Sequence, residues 1–146
     1  MSGMLRVRVR RLNRTGPFPS AREVAGVLRL AAPDASDAEV SVVFVSDRRI
    51  ARLSERFRGE RGPTDVLAFP CGRGERDSDS GRRMLGEIAV SIQTARREGT
   101  KRGIDPRREA LLYCLHGLLH LLGMEDSTPR GRRAMRRRER NILGRL

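Results

Sequence analysis

Residues 110–126 read ALLYCLHGLLHLLGMED, and this stretch decides how the chain folds. From Ala110 to Leu122 it is apolar almost all round, the pattern of a helix enclosed by protein on every side. Asp105 and Pro106 supply an N-cap and a proline at the first helical position. Gly123 suits the left-handed residue that follows a last turn. The spacing therefore predicts a helix from Asp105-Pro106 to Leu122, running through the middle of a domain. His116 and His120, the chain's 2 histidines, interrupt the apolar run. Four residues of helix turn through about 400°, which leaves the two rings about 40° apart on one face. Two buried imidazoles without partners would each cost a few kcal/mol. One metal ion shared by both removes that cost, so a metal site is the stronger reading than two separately bonded core histidines.

Two ligands do not make a site. A third can come from the chain beyond Gly123, where Glu125 and Asp126 can fold back toward the rings. Ser127 and Thr128 already offer caps for the next helix, which frees Asp126 to act as a ligand. Two imidazoles and a carboxylate form a catalytic zinc set with a position left for water, and such water can serve as a nucleophile near neutral pH. The same donors suit nickel, cobalt or manganese. The metalloprotease pattern H-E-x-x-H has a glutamate after its first histidine. Here that position is Gly117, so a peptidase would lack its general base. A glycine inside a helix costs about 1 kcal/mol relative to alanine, which suggests that something approaches closely there.

Outward from this helix, strands and helices alternate irregularly. LRVRVR (5–10) alternates apolar and basic residues, as a half-buried strand does. Ser20 and Glu23 form a capping box, and Val24, Val27, Leu28 and Ala31 give helical spacing up to Pro33. EVSVVFVS (39–46) is a β-branched run fit for a central strand. Ile50, Leu53 and Phe57 then mark one face of a helix that ends near Arg58-Gly59. Gly59, Gly62 and Pro63 mark a loop and VLAF (66–69) a short strand. CGRGERDSDSGRR (71–83) has almost nothing to bury and reads as a mobile loop. MLGEIAVS (84–91) is a strand, followed by a short helix to about Glu98. A last, arginine-rich helix starts at Thr128-Pro129. The expected fold is α+β: a single layered domain over 1–146, with a small, largely parallel mixed sheet of about four strands packed by helices.

Composition narrows the partners. The net charge is +13 and the sequence pI about 11.6. That balance favours a polyanion, either nucleic acid or an acidic membrane surface. No apolar run approaches the ~20 residues of a membrane span, and MSGMLRVRVR has no apolar signal core. Cys71 and Cys114 stand far apart and read as small buried hydrophobes of a reducing, cytoplasmic compartment. With Phe 4, Tyr 1 and Trp 0, stacking on bases looks poor.

Three ordered motifs carry a resemblance. His116-Gly117-Leu118-Leu119-His120-Leu121-Leu122-Gly123-Met124-Glu125-Asp126 resembles the H-G-x-L-H-L-x-G-[YM]-D-H motif of the YbeY family of bacterial metal-dependent endoribonucleases. Arg58-Gly59 with Pro63-Thr64-Asp65-Val66-Leu67-Ala68-Phe69-Pro70, and Leu85-Gly86-Glu87-Ile88, resemble its two upstream motifs. The similarity spans about Val40 to Leu143. Asp126 stands where the family has its third histidine, Glu125 where it has an aspartate, and Ala68 where it usually has serine. The last helix, often acidic in the family, is basic here.

The resemblance implies a zinc-dependent, single-strand-specific endoribonuclease of small-subunit rRNA maturation and ribosome quality control. One Zn2+ per chain would be held by His116, His120 and Asp126, with Arg58 as the catalytic phosphate clamp. The implied partners are single-stranded RNA and the small ribosomal subunit, with neither DNA nor membrane. Arg133 and Arg137 on the basic last helix are expected to bind substrate. The competing expectation is an RNA-binding assembly factor whose centre is weakened by Asp126.

Overall fold

The β-branched run at 39–46 lies at the centre of a four-stranded sheet. The structure is a computed structural model that describes residues 3–59, 62, 64–72 and 75–145. Its strands are β1 (Arg6–Arg11), β2 (Ala38–Val45), β3 (Val66–Pro70) and β4 (Arg83–Ser91). Their spatial order is β1-β2-β4-β3, with β1, β2 and β4 parallel and β3 antiparallel to β4. The sheet is thus largely parallel and mixed, as the sequence predicts. Period-2 alternation in β1 sends Val7 and Val9 toward the core, while Arg6, Arg8 and Arg10 take the opposite face.

Five helices complete the domain: α1 (Ala21–Ala31), α2 (Asp47–Arg58), α3 (Ile92–Arg102), α4 (Pro106–Leu121) and α5 (Pro129–Leu143). The capping box of α1 forms as expected, with Ser20 and Glu23 bonding each other's backbone N–H. On one face of the sheet, α1 and α4 meet Val40, Val42, Phe44, Ile88 and Val90 in the main core. On the other, α2 places Ile50 and Leu53 against Val43, Val45, Leu67 and Ala89. The α4 helix is the hub, touching α1, α3, α5, β3 and β4. No helix is long and apolar enough to cross a membrane among the described residues.

Three expectations change. Phe57, expected on the buried face of α2, is 58% exposed, because it lies in the last turn of α2 and packs edge-on against Phe69 of the edge strand β3. The helix expected to stop near Glu98 continues to Arg102. Its buried row is Ile92, Ala95 and Gly99, and the last two are too small to stand out among charges. Within 71–83, residues 75–82 form a bonded turn extending the β3–β4 hairpin. Met84 N–H bonds Glu75 C=O, and the Asp77 carboxylate accepts Ser80 N–H at 2.8 Å. Pro63 of the expected loop, and Arg73 and Gly74 of this one, lie outside the described residues. Cys114 is fully buried and Cys71 half-buried, and both are free.

The glycine in α4 has a packing cause. A Cβ on Gly117 would lie 2.6 Å from Ile88 Cγ2 and 3.3 Å from Val66 Cγ2. The helix therefore rests on β3 and β4 at a distance only glycine permits. Gly117→Ala gains about 1 kcal/mol of helix propensity but must displace a stiff, buried isoleucine, at about 1–3 kcal/mol. A lower urea midpoint is expected. An unchanged or higher midpoint would show that α4 lifts off the sheet freely.

Candidate metal centre

The close approach of α4 fixes where its histidines lie. His116 and His120 are both half-buried, with Nε2 atoms 3.2 Å apart and rings at 80° to one another. After the last turn the chain reverses through Gly123, whose φ of 99° lies in the left-handed region. Gly123 N–H bonds His120 C=O and Met124 N–H bonds Leu119 C=O, a Schellman closure. Thr128 then caps α5 by accepting Gly131 N–H at 3.0 Å. The cap thus falls to Thr128 and leaves the Asp126 carboxylate uncommitted to the helix. Its Oδ2 sits 3.4 Å from His116 Nε2 and 3.5 Å from His120 Nε2.

Three donor atoms converge as a near-equilateral triangle. An ion bound tetrahedrally at about 2.0–2.1 Å needs donors about 3.3–3.4 Å apart. The separations of 3.2, 3.4 and 3.5 Å therefore fit such an ion without rearrangement. Glu125, the other carboxylate considered for the position, is not among the converging groups.

Glu139 completes the arrangement and was not singled out in the sequence. This α5 carboxylate is 7% exposed and lies 2.8 Å from His116 Nδ1. Accepting the Nδ1–H holds the ring in the tautomer whose Nε2 lone pair faces His120 and Asp126. A carboxylate behind a ligating histidine orients it and raises its basicity. The hydrogen bond that His116 donates to Glu139 is the main reason the His116 pKa lies above the ordinary imidazole value, against the opposing effect of burial. A signal for Glu139 does exist: it shares the inward stripe of α5 with Met135 and Ile142. A single acid on an otherwise apolar helix face has to find a partner.

Arg58, at the last turn of α2, faces the same space. A cavity of about 490 Å³ is lined by Arg58, Asp65, Ala68 and the three converging side chains. Asp65 Oδ1 accepts Val66 N–H at 2.8 Å, at the start of β3. A second cavity, of about 550 Å³, shares Asp65 and His116 with the first and extends toward Arg97 and Tyr113. Arg133 and Arg137 are exposed on α5 and line neither cavity. Arg132 and Arg136 instead line a third, of about 370 Å³, with His116, Asp126 and Glu139.

An α+β domain with a helix-borne histidine pair and a carboxylate poised for one ion defines the class. The family model described as Endoribonuclease YbeY matches residues 20–146. A protein of Pelotomaculum thermopropionicum named endoribonuclease YbeY is 41% identical over 111 residues, covering 75% of this chain and 73% of its own. One of Desulforamulus reducens with the same name is 39% identical over 112 residues, with the same coverages, 75% and 73%. A solution structure of a Thermotoga maritima protein shares the fold at a TM-score of 0.57 and 23% identity, over 95% of this chain and 90% of that one. The chain belongs to the endoribonuclease YbeY family.

Glu139→Gln is expected to weaken divalent-ion binding by about ten-fold or more, read by competition with a chromogenic chelator. An unchanged affinity would remove Glu139 from the centre. The pH dependence has a definite sign. In metal-free protein the raised His116 pKa contributes stability that is fully present below about pH 6.5 and is lost as pH rises through the folded value. Urea midpoints in chelator should therefore fall as pH rises above the ordinary imidazole value, and less so in Glu139→Gln. Ion affinity should rise over the same range, because the ion displaces the proton.

Proposed function

We propose that this chain is an endoribonuclease that hydrolyses RNA phosphodiesters at the His116–His120–Asp126 centre. The observation that carries the reading is the convergence of three donor atoms within 3.5 Å of one another in a cavity that Arg58 also lines. His116, His120 and Asp126 would hold the ion, which we take to be zinc. Nickel, cobalt and manganese accept the same donors. When bound, such an ion supplies Lewis acidity toward a phosphodiester and toward water. Arg58 holds the phosphate with a planar, permanently charged fork and offsets charge that develops during cleavage. Glu139 holds His116 in its ligating tautomer. The substrate is single-stranded ribosomal RNA, the setting is small-subunit maturation and ribosome quality control, and the compartment is the cytoplasm.

Two observations weigh against the alternatives. A binding factor with a decayed centre would not need Asp126 to point between both histidines, as it does. A peptidase of the H-E-x-x-H type needs a glutamate at Gly117, where any Cβ would collide with Ile88. Asp126→Ala is therefore expected to lose bound metal, measured by elemental analysis, and to cut RNA only at background. Asp126→His should keep both. Full metal content and full cleavage in Asp126→Ala would sink the proposal.

The excess charge supports a polyanionic substrate. Arg133 and Arg137 enter no ion pair among the described residues, and we assign them to phosphate contacts outside the cavity. Each phosphate contact on a single strand contributes about −0.7 to the slope of log affinity against log salt. Replacing both with alanine should flatten that slope by about 1.4 and weaken binding uniformly across sequences. An unchanged slope would leave this face without a role in RNA binding.

A further inference from the structure

We propose that Phe57 is a stacking platform for an unpaired base of the RNA strand that enters the Arg58 cavity. The inference rests on the reading of the chain as an RNA-cleaving enzyme and adds a subsite to it. A single exposed apolar residue is ordinary, but Phe57 is placed unusually. Its ring is 58% exposed, yet held edge-on against Phe69 with centroids 5.3 Å apart at 68°. The Arg56 guanidinium carbon lies 5.3 Å from the ring centroid. The next residue in the chain is Arg58, which lines the cavity with His116, His120 and Asp126. Side chains alternate along a strand, so Phe69 packs on the α2 face of β3 while its neighbour Ala68 lines that cavity on the other face. The aromatic pair and the candidate centre thus lie on the two sides of one edge strand, β3, around whose open edge an RNA strand can pass.

The surroundings select the occupant. Arg48, Arg49, Arg52 and Arg56 share α2 with Phe57, and none of them enters an ion pair among the described residues. A protein partner would favour a contiguous apolar patch, whereas here one flat ring stands among cations. A flat apolar group carried on a polyanion matches that surface, and single-stranded nucleic acid is that chemistry. Because every base has a π-face, the contact tolerates sequence while still requiring an unstacked strand. Few aromatics argued against stacking from composition, but one ring held against Phe69, one residue before Arg58 in the chain, is enough for one base.

The chain contains no tryptophan, so Phe57→Trp introduces a single tryptophan at the proposed platform, excited at wavelengths that Tyr113 does not absorb. Its emission should be quenched by a single-stranded oligoribonucleotide and left unchanged by polyphosphate, which carries charge without bases. Phe57→Ala should bind the same oligonucleotide about 5- to 150-fold more weakly, measured by anisotropy in chelator so that no strand is cut. It should bind a strand with abasic residues as the unmodified protein does. In the metal-loaded protein its KM for cleavage should rise with kcat little changed. The exposed ring can be removed without opening a cavity, and an unaltered melting curve checks this. Equal affinity of Phe57→Ala and unmodified protein for the base-bearing strand, or an unquenched Phe57→Trp at saturation, overturns the platform and leaves the RNA-cleavage reading standing. Failure of the unmodified protein to bind RNA overturns both.

Discussion

The contact between Gly117 and the Ile88–Val66 pair is the constraint from which the rest of the site follows. Because no Cβ intervenes, α4 settles close to β3 and β4. His116 precedes that contact and His120 follows it by most of a turn, so both side chains emerge beside the edge strand. Had α4 stood further off, the histidines would still share a helix face, but not a cavity with Ala68 and Arg58. Packing density thus sets functional geometry: a missing methyl on one residue positions two imidazoles on its neighbours.

Charge is divided between the interior and the surface in a related way. The buried acids each have a cationic or hydrogen-bonding partner. Glu39 meets Arg6 and Arg8, Glu109 meets Arg102 and the Tyr113 hydroxyl, and Glu139 meets His116. The half-buried Asp47 joins α2 to α3 through Ser91, Thr94 and Arg97, and these bonds hold its carboxyl below the ordinary range despite the opposing effect of burial. Burial without such partners would be costly for each carboxylate. Arginines that enter no ion pair among the described residues are frequent on α2 and α5. The ion-paired acids neutralise their partner arginines, and the net charge of +13 that a polyanion meets is unchanged.

What was legible in the sequence was what periodicity and caps encode. The boundaries of α4, the central strand, the capping box of α1 and the reversal at Gly123 follow from local patterns. The histidine pair was legible because helix geometry alone aligns residues four apart. Arg58 was legible only through a matching motif, since nothing local separates it from other surface arginines. Glu139 and Phe57 were obscured because tertiary placement decides them. Glu139 matters through a helix folded back onto His116, 23 residues away. Phe57 follows the helical period of Ile50 and Leu53, but what it meets is Phe69 near the end of the edge strand, which leaves it 58% exposed. Periodicity reports which face a residue takes, and not whether another element reaches that far.

The carboxylate at position 126 changes the electrostatics of the centre. An ion held by His116, His120 and Asp126 carries one positive charge fewer than an ion held by three imidazoles. Its pull on an approaching phosphodiester is correspondingly weaker. The cavities around it supply the opposite sign: Arg58 lines one, and Arg132 and Arg136 line another that also contains Asp126. Charges a few ångströms from a half-buried site act through a dielectric well below that of water, so these guanidiniums can offset the carboxylate locally. On the proposed reading, the basic α5 and a carboxylate ligand at position 126 would belong to one electrostatic adjustment. The helix that provides Glu139 to orient His116 also provides the arginines that balance Asp126.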